Sequence, residues 1–295
     1  MHRSILTHAA PFAFKLFAGN TAALALMLIA GAAVSTTAAP VFFSTTLTDP
    51  LPDGALLVRA AIERMGGTRW KSIVSFESIA TAKSAMGDAR IEYRFVAPQS
   101  HLLVQSMPGG RGVLEMGSTG GTAWMGEPGR ARAVDPKMAA EIAGGGDLQT
   151  LVRSLEDRFD AFETKARESV DGKVVWTIMM TPRNSPTPDA RWTLYLDATS
   201  GLVHGFEIPP PPKDTRTNAP TPTGQRIRLS RWESVEHPAS TAEGDKLIAF
   251  RDATITAGGA ETTLLYTKVA VDGLEKSAIS PPVAIEPMPT APASR

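Results

Sequence analysis

The chain contains no cysteine. Disulfides, thiolate nucleophiles and thiolate metal sites are therefore excluded together, and cysteine usage says nothing about redox compartment. It also lacks net charge: thirty basic side chains balance thirty acidic ones and the pI is near 7.0. No basic field is available to hold a phosphate backbone, so no nucleic acid partner is expected. Histidine is scarce. Of five, His2 and His8 lie in the N-terminal leader, and His101, His204 and His237 are far apart, with no H-x-x-x-H or H-x-H pair. No metal site is expected on that spacing. There is no G-x-S-x-G, no S-x-x-K in a plausible setting and no phosphate loop of the G-x-x-x-x-G-K-[ST] type. Paired carboxylates such as Glu156 with Asp157, or Glu243 with Asp245, sit in amphipathic or turn contexts where solvation accounts for them. The expectation is a protein that is not an enzyme and carries no cofactor.

What is abundant is apolar surface. At 295 residues and 43% hydrophobic content the chain can bury a full core. His2, Arg3 and Lys15 precede an apolar run from Leu16 to Val34, broken by Asn20, and small residues at Gly31, Ala33, Thr37 and Ala39 follow as cleavage points. Residues 1–39 read as a signal peptide or, at a length close to the roughly 20 residues that cross a bilayer, an N-terminal membrane anchor. No cysteine follows the run, which excludes a lipoprotein anchor. The chain is thus expected to be exported, periplasmic or in the cell envelope, with possible inner-membrane attachment through this segment.

Asp53 can cap a helix bearing Leu57, Val58, Ala61, Ile62 and Met65 on one side, ended by Gly66-Gly67. After Trp70 the period falls to two and turn signals recur every 8 to 12 residues, which predicts antiparallel strands. Five form a first meander: Ile73 to Lys83, Ala89 to Ala97, Ser100 to Met107, Gly112 to Met116 and Thr122 to Gly126, with Gly117 to Gly121 as the last turn. In Ile91-Glu92-Tyr93-Arg94-Phe95 the apolar residues face one side and the charged ones the other. A helical interruption follows. Asp135-Pro136 starts a segment to Ala143, and Asp147 caps a longer helix carrying Leu148, Leu151, Val152, Leu155 and Phe159, whose polar side of Arg153, Glu156, Asp157 and Arg158 reads as solvated. Strands resume at Ala161 to Val170 and Lys173 to Thr181, joined by Asp171-Gly172, then Arg191 to Asp197, Leu202 to Ile208, Gln225 to Glu236, Lys246 to Thr256 and Glu261 to Val271. Residues 209–224 read as a proline-rich loop insertion and 280–295 as a disordered proline-rich tail.

The expected fold class is α+β: a curled antiparallel β-sheet, an unclosed barrel of about 11–12 strands, with helices covering the concave face. A covered, concave apolar surface is a site for a lipid or acyl chain.

Four segments carry a family resemblance: Met65-Gly66-Gly67-Thr68-Arg69-Trp70-Lys71-Ser72-Ile73, Tyr93-Arg94-Phe95-Val96-Ala97-Pro98, Gly120-Gly121-Thr122-Ala123-Trp124, and Leu194-Tyr195-Leu196-Asp197-Ala198-Thr199-Ser200-Gly201-Leu202. In that order they resemble the periplasmic outer-membrane lipoprotein carrier and sorting superfamily (LolA/LolB-like half-barrels). The resemblance implies a half-barrel domain over residues 50–275 with a helical lid above a hydrophobic cavity for acyl chains. Its lipid-binding candidates are Tyr93, Phe95, Leu102, Val104, Trp124, Trp176 and Trp192, and its lid side chains Leu148, Leu151, Val152 and Leu155, within a lid at Asp135 to Phe159. Two readings stay open: an exported carrier of an acyl chain, lipid or lipoprotein, with a hollow barrel, and a non-catalytic structural or interaction module of the envelope, with a packed one.

Overall fold

The computed structural model describes residues 50–110, 112–135, 147–183, 190–210, 223–235, 246–282 and 285–286. The leader, most of the expected 135–143 helix, the centre of the 209–224 loop and most of the tail lie outside these residues.

Helix α1, Gly54–Arg64, starts where expected. The Asp53 carboxylate accepts the Ala55 N–H at 2.8 Å and Val58, Ala61 and Ile62 are buried. Gly66 at φ 123° and Gly67 at φ 51° end it, and the Gly67 N–H closes on the Ile62 carbonyl at 2.9 Å, a reversal that favours glycine. The short helix α2, Arg69–Ser72, brings Trp70 back so that its indole N–H donates to the Met65 carbonyl at 2.6 Å.

Among the described residues, fourteen strands form one sheet. The first meander is β1 Ser75–Ser84, β2 Gly87–Val96, β3 Ser100–Ser106, β4 Val113–Thr119, β5 Thr122–Glu127 and β6 Arg130–Ala133. Two helical pieces, α3 Leu148–Arg153 and α4 Leu155–Arg158, separate it from the second: β7 Phe159–Val170, β8 Lys173–Pro182, β9 Trp192–Asp197, β10 Val203–Ile208, β11 Gln225–Val235, β12 Leu247–Ala257 and β13 Ala260–Val271. The meanders join through the antiparallel pair β1–β13, and β14, Ile285–Glu286, adds a parallel rung to β6. The strand order β14-β6-β5-β4-β3-β2-β1-β13-β12-β11-β10-β9-β8-β7 leaves β14 and β7 as edges, so the curled sheet does not close. Left-handed pairs Gly120-Gly121, Asp171-Gly172 and Gly258-Gly259 make the tight hairpin turns. Register shifts at Ile79/Ala80, in β7–β8 and in β9–β10 add the local twist that curls the sheet.

Four expectations change. Arg130–Ala133 is a sixth strand of the first meander; its Arg-Ala alternation with exposed arginines carries little apolar signal. Gly117 lies inside β4, and the turn is confined to Gly120-Gly121. The single lid helix is broken at Ser154, whose hydroxyl donates to the Thr150 carbonyl at 2.7 Å, while Phe159 opens β7. Ile285–Glu286, within the expected tail, pairs with Ala131 and Arg132.

The main core fills the concave side, from α1, Trp70 and α3 through β1, β2 and β8–β13. A smaller cluster of Val96, Trp124, Ala131 and Ile279 lies on the convex side, joined by Leu102, Leu274 and Ile285, so the chain after β13 covers that face. Among the described residues no helix is long and apolar enough to cross a membrane.

Candidate ligand-binding face

Strand pairing sets which side chains share the concave face. Phe76, Phe95 and His101 stand opposite one another across β1–β3, and Ser78, Tyr93, Leu103, Met116 and Met125 make the next row across β1–β5. Across the second meander, Trp176 faces Leu196, Ile178 faces Leu194 and Met180 faces Trp192. The helices cover the middle of this surface. Leu148, Leu151, Val152 and Leu155 are each 2% exposed or less. The Gln149 side chain anchors α3 by donating to the Phe250 carbonyl at 2.6 Å. Beyond the cover, Phe95, Leu103, Leu114 and Met125 remain half-buried, so the apolar surface continues past the helices onto β2–β5.

Under α3 the apolar surface is interrupted by a polar cluster. Asp147 is buried; its carboxylate accepts the Thr150 N–H at 3.0 Å, capping α3, and also the Ser78 hydroxyl of β1. Burial pushes its carboxyl upward, opposed by Ser78 and by the Arg153 charge. Arg153 lies with its guanidinium carbon 4.3 Å from the Phe76 ring centroid and 4.7 Å from that of Trp70, and Nη2 donates to the Thr150 hydroxyl at 3.0 Å. The Tyr93 hydroxyl meets His101 Nδ1 at 2.9 Å. Burial, with the Asp147 charge adding to it, holds the Tyr93 phenol well above its ordinary range, and burial pushes Tyr266 up in the same way. The polar side of the cover is therefore not simply solvated: Arg153 turns inward, whereas Glu156 reaches Arg59 on α1 at 3.3 Å.

His101 supplies a pH prediction. Burial lowers its pKa to about 4, from 6.5. A histidine depressed in the folded state takes up its proton more readily when unfolded, so its neutral form is compatible with full stability above pH 6.5, and stability falls as the pH drops towards 4. The shift corresponds to about 3 kcal/mol at most. His101→Gln is expected to remove most of the loss between pH 6.5 and 4 in urea titrations; an unchanged pH profile would assign the loss to other groups.

The structure divides the lipid-binding candidates. Tyr93, Phe95, Trp176 and Trp192 belong to the concave face, with Phe95 and Trp176 half-buried at its margin. Leu102, Val104 and Trp124 point to the opposite side: Arg94 faces Leu102, Leu102 faces Gly117 and Gly117 faces Trp124. Trp124 and Leu102 there pack against the chain after β13, because odd and even positions of a strand cannot share a face. Ser78, Asp147, Thr150, Arg153 and His101 are the polar residues that apolar periodicity passes over.

No family model matches the chain, and no curated protein matches it by sequence. Solved structures do. A LolA superfamily protein from Nitrosomonas europaea aligns at a TM-score of 0.47 and 10% identity, over 78% of this chain and 99% of that one. A domain assigned to outer membrane lipoprotein sorting from Vibrio parahaemolyticus gives 0.45 and 15%, over 76% and 94% of the two chains. A DUF1329 family protein from Desulfovibrio piger gives 0.45 and 14%, over 78% and 100%. Likeness at this level decides nothing about ligand or activity, and the functional reading rests on the geometry of the concave face.

Proposed function

We propose that the protein is an exported, non-catalytic carrier of an acyl-chain ligand in the bacterial cell envelope, and that α3 and α4 form the cover over its site. One observation carries this reading. An apolar concave surface runs from β13 to β5 around that polar cluster, and among the described residues the short helices cover only part of it, leaving Phe95, Leu103 and Met125 half-buried beyond their edge. A partly covered apolar surface bordered by a few placed polar groups suits a long hydrocarbon chain with a polar end. Residues 50–275 are the binding unit and residues 1–39 the export signal, with periplasmic release or inner-membrane attachment depending on its cleavage. The alternative, a packed interaction module, draws on the extent to which Trp70, Phe76, Phe159 and Phe250 fill the middle of the face.

Native mass spectrometry of the full chain exported to a bacterial periplasm, followed by organic extraction, tests the carrier. The expected result is a co-purifying acyl species whose occupancy falls at least about fivefold in Phe95→Asp with Leu103→Asp, two half-buried positions. A folded, empty protein that also ignores added fatty acid would favour the packed module.

A further inference from the structure

The cover carries two arginines into a largely apolar face. Arg153 Nη1 is buried and has no hydrogen-bond partner among the described residues, while Nη2 is held by Thr150, whose hydroxyl also reaches Asp147 at 3.4 Å. Arg158 comes from the next turn and is fixed by its Nε–H donating to the Ser154 hydroxyl at 2.8 Å. Both guanidinium charges act on the same Tyr93 hydroxyl, and burial lowers the pKa of each arginine. Against them stand the buried carboxylate of Asp147, already accepting from Ser78 and Thr150, and the exposed Asp157 beside Arg158. His101, neutral at ordinary pH, adds no charge. A buried guanidinium nitrogen with nothing to donate to is costly, and an anionic oxygen removes that cost.

We propose that Arg153, with Arg158 and the Tyr93 hydroxyl, receives the anionic oxygen head of the acyl ligand while its hydrocarbon chain lies along the Phe95, Leu103 and Met125 strip. This rests on the acyl-carrier reading and adds the chemistry of the head. A carboxylate and a phosphate monoester share that chemistry. The packing of the Arg153 guanidinium over both the Trp70 and Phe76 rings holds the fork in place before a ligand arrives, so little freedom is lost on binding.

The test compares three probes with the same sixteen-carbon chain on delipidated full-length protein, by isothermal titration: palmitate, palmitoyl lysophosphatidate and the neutral monopalmitoylglycerol. At least one anion is expected to bind roughly tenfold or more tighter than the neutral probe. The tighter anion assigns carboxylate or phosphate. Arg153→Met, which keeps a long side chain against the rings, is expected to abolish that preference while leaving monopalmitoylglycerol affinity within about twofold. Equal wild-type affinities for charged and neutral probes, or a preference that survives Arg153→Met, would overturn the head-group assignment and leave acyl binding standing. Binding of none of the three would overturn both. Should Arg153→Met fail to fold, the wild-type ratio and Arg158→Gln decide.

Discussion

Asp147→Ala is expected to lower stability by about 3–5 kcal/mol, because it strips a buried carboxylate from beside a buried guanidinium. Three contacts go at once: the N-cap to the Thr150 N–H at 3.0 Å, the acceptor for the Ser78 hydroxyl on β1, and the countercharge to Arg153. The cap alone contributes about 1 kcal/mol. For a domain of this size the total corresponds to a fall in Tm of roughly 6–20 °C. Asp147→Asn keeps the cap through its one amide oxygen and turns an NH2 that can donate to the Ser78 hydroxyl, so it should cost much less. Burial raises the carboxyl in the folded state, so the stability linked to its titration is complete below the unfolded value and declines as pH rises through the folded one. The penalty of Asp147→Asn should accordingly shrink from pH 4 to pH 7. Asp147→Ala combined with Arg153→Met should recover part of the loss, since no unpaired charge is then left buried. Thermal unfolding followed by circular dichroism at both pH values reads all four proteins; an Asp147→Ala variant within about 1 kcal/mol of the parent would show that this carboxylate does not hold the cover down.

Local rules carried the reading of the fold a long way. Asp53 and Asp147 cap where a short polar residue precedes an apolar period, and Asp171-Gly172 turns where two alternating runs meet. What local pattern could not supply was the second covered face. Ser100 to Ser106 reads Ser-His-Leu-Leu-Val-Gln-Ser, apolar at adjacent positions, because β3 is packed on one side by the concave core and on the other by the chain after β13. With apolar side chains on both faces, period two disappears, and Leu102, Val104 and Trp124 look like partners of Tyr93 when they are its opposites. Arg153 was hidden for a different reason. It stands at the border of the Leu148, Leu151, Val152 and Leu155 stripe, and only the tertiary approach of Trp70 and Phe76 turns it inward. The spacing Asp147, Thr150, Arg153 does place a cap, a hydroxyl and a cation one turn apart, which is the trace this cluster leaves in sequence.

The convex face yields the second large effect. Gly117→Val should destabilise the protein about as much as losing a buried tryptophan, roughly 3–5 kcal/mol. The Gly117 backbone is not in a left-handed conformation, so its lack of a side chain serves the neighbour across the ladder: a Cβ there would stand 2.3 Å from Cζ2 and 2.6 Å from Cε2 of Trp124. The indole cannot yield easily. It is 0% exposed, packs in one cluster with Val96, Ala131 and Ile279, and donates its N–H to Glu115 at 2.8 Å. Insertion therefore ejects the ring or lifts the segment carrying Ile279, and tryptophan fluorescence should shift to the red. Gly117→Ala should cost less but substantially, and nearly nothing in a Trp124→Ala background, where the obstacle is gone; this double-mutant cycle isolates the contact. Because the lesion sits on the face opposite Tyr93, the acyl affinity of folded Gly117→Ala should stay within about twofold of the parent. Additive costs in the cycle would place the indole away from Gly117, and a large loss of affinity would move the ligand to the convex side.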